Sequence, residues 1–172
     1  MTLSVLVLAL VTAQRLGELL LARRNTRRLL AKGAREAGAG HYAFIVVLHG
    51  AWLAGLWILV LAWSREAVVP WLAAYLVLQA LRVWVIATLG ERWTTRIIVL
   101  PGAPLVRGGP YRVLAHPNYV VVAGEIAVLP LAFGLPLYAA VFSLLNAVAL
   151  AIRLRAETRA LAETPAGLGH GS

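Results

Sequence analysis

The sequence predicts an all-α integral membrane protein with about five transmembrane helices. Of its 172 residues, 61% are hydrophobic, and the mean hydropathy is +0.81. Soluble domains are about 45–50% apolar, and a soluble domain of this size cannot bury so much apolar surface. Membrane lipid is therefore the expected surrounding. The chain has no cysteine, which excludes disulfides, thiolate metal sites and cysteine nucleophiles.

Four apolar regions predict the spans, at residues 2–22, 42–63, 67–90 and 120–152. As one helix, the fourth would be roughly 50 Å long, whereas the hydrocarbon core is about 30 Å thick. Pro130, Gly134 and Pro136 lie near its middle. Because proline and glycine interrupt helices, this region is predicted to form a tight hairpin of spans 118–133 and 136–156. The second of these is expected to leave the membrane as a polar helix.

Basic residues are distributed unevenly among the predicted loops. The loop 23–40 contains six and the loop 91–116 four, whereas the loop 64–70 has only Arg65 and the hairpin turn none. The tail from Arg153 contains three. Since basic loops face the cytoplasm, five spans with the N-terminus outside the bacterial plasma membrane satisfy the pattern. The net charge of +9 is thus assigned to membrane-facing loops and not to nucleic-acid binding.

Five ionisable residues lie at or near membrane depth: Arg15, Glu18, His49, Arg82 and Glu125. Because such residues are costly in lipid, function is their default interpretation. The structural alternative is that Arg15 and Glu18, three residues apart on one helix face, pair with each other. His49 has a similar alternative as a hydrogen-bonded packing residue. The sequence leaves open whether Arg82 pairs with Glu125.

A second group of candidates surrounds the stretch GGPYRVLAHPNY, residues 108–119. Its Gly-Gly-Pro predicts a turn. Pro117 suits the first turn of a helix, which places His116 just before a helix N-terminus at the interface, where free N–H groups can hold an anion. Tyr111 and Tyr119 would stack on a flat ring or anchor at the interface.

The tail helix adds Arg153 and Glu157, four residues apart on one face. A solvated surface pair is the simpler interpretation of that spacing. However, the helix continues a span and lies on the same side as the His-Pro loop. Arg153, Glu157 and His116 are therefore expected to converge below the hairpin.

Together these residues resemble the isoprenylcysteine carboxyl methyltransferase family. The resemblance covers residues 107–161, within a single domain of 1–172. It rests on Tyr111, His116-Pro117-Asn118-Tyr119, Glu125 and the Arg153/Glu157 helix. Ala115 replaces the usual Arg before the His, and Thr158 replaces a second Glu. The stretches RLGELLLARRN and HYAFIVVLHGAWL resemble a bacterial branch linked to methylation of resorcinolic lipids.

The resemblance implies an S-adenosylmethionine-dependent O-methyltransferase with a cytoplasmic active site and no metal. It also implies a cofactor pocket lined by Tyr111, His116, Pro117, Asn118 and Tyr119, with Glu125 meeting the cofactor's amino group or orienting the loop. Arg153, Glu157 and His116 would be catalytic.

The methyl acceptor is expected to be lipophilic, either a prenylated cysteine carboxylate or a lipid phenol. A carboxylate needs no base, whereas a phenol benefits from one, for which His116 and Glu157 are candidates. A Rossmann-type Gly-rich motif is absent from the sequence. A non-enzymatic membrane subunit and a small transporter are the competing functions, and the oligomeric state stays open.

Overall fold

The computed structural model describes residues 3–63 and 66–162. It contains five α-helices, which are α1 (Leu3–Ala31), α2 (Ala39–Trp63), α3 (Val69–Leu89), α4 (Pro117–Ala132) and α5 (Pro136–Ala162). Two short strands, β1 (Arg35–Ala37) and β2 (Ile97–Val99), and two 3-10 turns, Gly90–Arg92 and Gly109–Arg112, lie in the loops. The start of the first predicted span at Thr2, and Arg65 of the second loop, fall outside the described residues.

The prediction of an all-α integral membrane protein is confirmed. Four helices, α1, α2, α3 and α5, are long and apolar enough to cross a membrane, and α4 is a shorter apolar helix of 16 residues. Large apolar side chains cover the outside of the bundle, for example Leu20, Leu76 and Leu144, which are 66%, 67% and 70% exposed. Such a surface is suited to lipid contact.

The predicted hairpin of the last two helices is also confirmed. The α4 helix ends at Ala132, Gly134 has a positive φ of 67°, and α5 begins at Pro136. The Leu135 amide donates to the Pro130 carbonyl at 2.9 Å and closes the turn. A positive φ at a helix C-terminus favours glycine. Pro130 lies in the last turn of α4, so it precedes the reversal and does not form it.

The small antiparallel sheet was not predicted. Strand β1 pairs with β2, with Arg35 opposite Val99. Glu91 accepts bonds from Arg28 at 3.1 Å and Lys32 at 2.8 Å, which ties the same two loops together again. The loops 23–40 and 91–116 therefore share one end of the bundle, as their charge predicts. We call this the basic end; that it faces the cytoplasm stays a prediction.

The helices pack around a core near the opposite end. Leu8 of α1, Trp52 and Leu56 of α2, and Leu129 of α4 belong to one buried cluster, which Phe133 of the hairpin turn completes. The α4 helix packs against α3 and α5. Its polar residues are consequently held inside the bundle, where they contribute to the candidate site.

Candidate active site

A cavity of about 320 Å³ lies inside the bundle. Side chains from all five helices and from the segment 93–95 line it. Its volume lies at the lower end of the range for small-molecule pockets, which is about 300–1,000 Å³. Two polar groups approach the cavity at different depths, and both contain residues that the sequence singled out.

The first group, Tyr119, Arg153 and Glu157, is called the interfacial triad. The Tyr119 hydroxyl donates to Glu157 Oε2 and accepts from Arg153 Nε at 3.1 Å. Arg153 Nη1 also donates to the Thr95 carbonyl at 2.7 Å. Tyr119 and Arg153 line the cavity. Arg153 and Glu157 thus meet at a shared hydroxyl and are not a simple solvated pair.

His116 joins this triad through an aromatic contact. Its ring stacks on that of Tyr119, with centroids 5.3 Å apart and planes inclined by 14°. The imidazole lines a separate apolar groove of about 380 Å³ that also includes Leu150 and Leu154 of α5. Since Tyr119 lines both spaces, its side chain forms part of the wall between cavity and groove. The predicted convergence of His116, Arg153 and Glu157 is present, but His116 does not line the cavity.

Of the other residues predicted to bind the cofactor, two line the cavity and two do not. Asn118 and Glu125 line the cavity, whereas Pro117 is buried in the first turn of α4 and does not line it. Tyr111 packs against a cluster that includes Trp93. Burial, with a smaller contribution from the Glu157 carboxylate, raises the pKa of the Tyr111 hydroxyl to about 12, so this hydroxyl is neutral at physiological pH.

The second polar group, called the deep network, consists of Arg15, Glu18, Arg82 and Glu125. The Glu125 carboxylate accepts from Arg15 Nη2 at 2.7 Å and from Arg82 Nη1 at 2.9 Å. Gln79 Nε2 adds a third bond at 2.7 Å. The pairing of Arg82 with Glu125, which the sequence left open, is therefore present.

The Glu18 carboxylate likewise accepts hydrogen bonds from both arginines and from a glutamine. Arg82 donates to it through Nε and Nη2, both at 2.6 Å, and Arg15 Nη1 donates at 2.8 Å. Gln14 Nε2 donates at 2.9 Å. The local Arg15–Glu18 pair exists, but it is one edge of a network that joins α1, α3 and α4. Two arginines and two glutamates balance its charge.

Several polar residues of the cavity wall were missed in the sequence. These are Asn146, Trp52 and Trp93, whose buried Oδ1, Nε1 and Nε1 atoms find no hydrogen-bond partner among the described residues. The same holds for Oδ1 of Asn118, which the sequence did predict. Such atoms are uncommon in native proteins, and on a cavity wall they are free to bond to water or to a ligand. The one sequence signal was Asn146 itself, a polar amide within a span.

His49 also lies on the cavity wall. Its Nδ1 lies 2.8 Å from the Ile45 carbonyl oxygen. Because a carbonyl oxygen only accepts, Nδ1 carries the proton, and Nε2 of the neutral ring has the free lone pair. The packing interpretation is correct for Nδ1, while Nε2 is available for chemistry.

Comparison with known proteins finds a family match. The model of the isoprenylcysteine carboxyl methyltransferase family matches residues 71–163, more than half of the chain. A protein of Bacillus subtilis (strain 168), "Uncharacterized protein YpbQ", is 38% identical over 161 residues, covering 92% of this chain and 96% of that protein. No solved structure matches the chain significantly.

The fold and the match define a membrane methyltransferase. The chain belongs to the isoprenylcysteine carboxyl methyltransferase family. The resemblance inferred from the His-Pro loop and the tail helix is thereby confirmed, and a bacterial relative agrees with the bacterial branch. The family match begins at residue 71, so α1 and α2, which supply Arg15, Glu18 and His49, lie outside it.

Proposed function

We propose that this protein transfers a methyl group from S-adenosylmethionine to an oxygen atom of a lipophilic acceptor. One observation carries the proposal: a methyltransferase of the membrane contains a cavity with buried polar side chains on its wall, and this cavity reaches Tyr119 and Arg153 of the interfacial triad. The basic end would face the cytoplasm, where a water-soluble methyl donor is available. A lipid acceptor would reach the same triad from the membrane.

The lining of the cavity fits such a donor. An adenosyl and amino-acid ligand carries many hydrogen-bonding groups, and four wall residues bear buried polar atoms that are unpaired within the described chain. Asn118 lies beside Tyr119 at the basic end, whereas Asn146 precedes Arg153 by seven residues on α5 and so lies about 10 Å further from that end. Amide and indole groups at these positions are suited to hydrogen bonding with the adenine ring and the polar substituents of such a donor. Asn118 and Tyr119 therefore stay candidates for cofactor binding.

Bound S-adenosylmethionine would supply a methyl group on a positively charged sulfur. The new C–O bond forms from a lone pair of the acceptor oxygen as the S–C bond breaks, and the charge on sulfur is neutralised. The protein's task is alignment of the reacting atoms and exclusion of water. Arg153 is placed to hold an oxygen of either ligand, and Glu157 orients Tyr119 between them.

The apolar groove beside Tyr119 supports a lipophilic acceptor. It is an open surface between α4 and α5 and ends at His116 and Tyr119. A prenyl or alkyl chain in this groove would bring its polar head to the triad. We therefore assign His116 to the acceptor side of Tyr119.

The acceptor's chemistry decides whether a base is needed. A carboxylate is already deprotonated, whereas a phenol has to lose its proton during methyl transfer. We assign this role to His49 Nε2, because it lies on the wall of the cavity that would hold the methyl donor and has a free lone pair, whereas the Glu157 carboxylate already accepts a hydrogen bond from the Tyr119 hydroxyl. The proton would pass from the phenol to Nε2 and then to water.

Binding and transfer together test the proposal. Calorimetric titration of the detergent-purified protein with S-adenosylhomocysteine should show binding. Transfer of tritiated methyl is then measured to a prenylated cysteine and to an alkylresorcinol. Arg153→Gln should reduce transfer, whereas Arg155→Gln, an exposed position on the same helix, should not.

The two acceptors give separate outcomes. His49→Gln should lower methyl transfer to the alkylresorcinol and leave transfer to the prenylated cysteine carboxylate unchanged. Folded wild-type protein that neither binds S-adenosylhomocysteine nor methylates either acceptor would contradict the proposed function. It would instead favour a non-enzymatic membrane subunit.

A further inference from the structure

The deep network has more hydrogen-bond donors than acceptors. Glu18 accepts four hydrogen bonds and Glu125 three, while a carboxylate has about four acceptor sites. Arg15 donates two bonds to these carboxylates and Arg82 three, of the five N–H groups in each guanidinium. The carboxylates are therefore nearly saturated, and N–H groups of both arginines remain for other partners.

The two arginines that carry these remaining donors lie at the cavity. All four residues of the network line it. The Arg15 side chain is the more accessible, at 20% exposed against 8% for Arg82. Since Arg15 is surrounded by helices in the middle of a membrane bundle, the cavity is the space into which it opens. Of the two arginines of the network, Arg15 is thus the one that a ligand in the cavity would meet first.

The network is distinct from the interfacial triad. Tyr119 and Glu125 are six residues apart on α4, which corresponds to about 9 Å along the helix. The cavity thus has arginine at two depths, Arg153 near the basic end and Arg15 further inside. The two arginines can hold different groups, or different ends of one ligand.

We propose that Arg15, with Arg82 behind it, forms an oxyanion-binding site in the cavity. The site takes a carboxylate, or the oxygen of a deprotonated hydroxyl, from a ligand of the methyl-transfer reaction, so it rests on the proposed function. Glu18 and Glu125 are positioning residues, which hold the guanidinium groups at fixed angles.

An ammonium group is the less suitable occupant, because seven of the roughly eight acceptor sites of the two carboxylates are already bonded. This assigns Glu125 a different role from contact with the cofactor's amino group. The oxyanion has two possible sources, the carboxylate of the methyl donor and the reacting oxygen of the acceptor. Their shared chemistry is a desolvated negative oxygen, for which a guanidinium is the preferred partner.

Three variants test the site. Arg15→Gln removes the charge, and Arg15→Lys keeps it without the planar geometry. The double variant Arg15→Gln/Glu18→Gln removes one positive and one negative charge, so the network stays balanced and the folding risk of a lone buried carboxylate is avoided. Arg23→Gln, at an exposed position of the same helix, is the matched control. Size-exclusion profiles and thermal unfolding identify the folded variants.

Binding constants identify the source of the oxyanion. Loss of a charge-assisted bond should weaken one ligand by roughly 10- to 100-fold in Arg15→Gln and in the double variant, with partial recovery in Arg15→Lys. If the donor supplies the oxyanion, the Kd of S-adenosylhomocysteine rises. If the acceptor supplies it, the KM of the acceptor rises and that Kd is unchanged.

A third readout separates this inference from the proposed function. Decanoate should raise the Tm of the wild type and of Arg23→Gln, decylammonium should not, and the double variant should lose the decanoate effect. This thermal shift does not require the protein to bind S-adenosylhomocysteine. The inference is overturned if the folded double variant keeps Kd and KM within about twofold of Arg23→Gln and the same decanoate shift.

Discussion

The deep network and the interfacial triad both approach one cavity, but they use similar residues in opposite ways. In the deep network, seven hydrogen bonds reach the two carboxylates, from two guanidinium and two amide groups. In the triad, the Glu157 carboxylate accepts one bond, from Tyr119, and Arg153 donates to that hydroxyl and to a backbone carbonyl. The charges of the network are held in place, whereas those of the triad are free to exchange partners when a ligand arrives.

This difference predicts that the deep network mainly stabilises the fold and that the triad mainly serves catalysis. Removing one member of a buried, charge-balanced network leaves a charge without compensation, which is strongly destabilising. Removing a member of the triad breaks one or two bonds at a half-buried position. Mutations in the network should therefore lower stability first, and mutations in the triad should lower activity first.

Arg82→Gln has the largest expected effect. It removes the arginine that bonds both Glu18 and Glu125, so both carboxylates lose a counter-charge in a buried site. We expect a loss of about 3–5 kcal/mol in the free energy of unfolding, measured as a lower Tm and a lower yield of monodisperse protein. Arg112→Gln, at an exposed position, is the control. Equal stability of the two variants would break the distinction between network and triad.

Arg153→Gln should act on activity instead. The guanidinium is the only basic group of the triad, and its loss should lower methyl transfer by roughly 10- to 100-fold. The Tm should stay close to that of Arg155→Gln. A drop in Tm as large as that of Arg82→Gln would show that the triad is a structural element.

Tyr119→Phe is a milder test of the same triad. It removes the hydroxyl shared by Arg153 and Glu157 but keeps the ring that stacks on His116. We expect a reduction in transfer of roughly 3- to 10-fold, with the Tm nearly unchanged. His116→Ala would remove the stack and keep the hydroxyl, so the pair of variants separates the two contributions. A Tyr119→Phe enzyme with full activity would exclude the hydroxyl from the mechanism.

Glu91→Gln should have the smallest effect. Its ion pairs with Arg28 and Lys32 lie on the basic end, where the glutamate side chain is half exposed. Exposed pairs contribute little, and salt screens them. Any difference in Tm from the wild type should disappear at high salt, whereas that of Arg82→Gln should persist. A difference that salt does not reduce would place Glu91 among the buried pairs.

Sequence reasoning reached a large part of the fold and a smaller part of the site. The spans, the hairpin and the shared end of the basic loops followed from composition and charge. The meeting of Arg153, Glu157 and His116 followed from their placement on one side. The sheet between β1 and β2 was missed, because three-residue strands in polar loops have no periodic pattern to detect.

The amino-acid sequence alone decides which segments enter lipid and which end of the bundle is basic, because apolar and charged residues carry transfer free energies that add along the chain. Only the tertiary structure decides which buried charges pair. The bonds from Arg82 to Glu125, from Arg82 to Glu18 and from Arg15 to Glu125 join residues 43, 64 and 110 positions apart. Their partners depend on how each helix is rotated against its neighbours, and packing of the whole bundle sets that rotation.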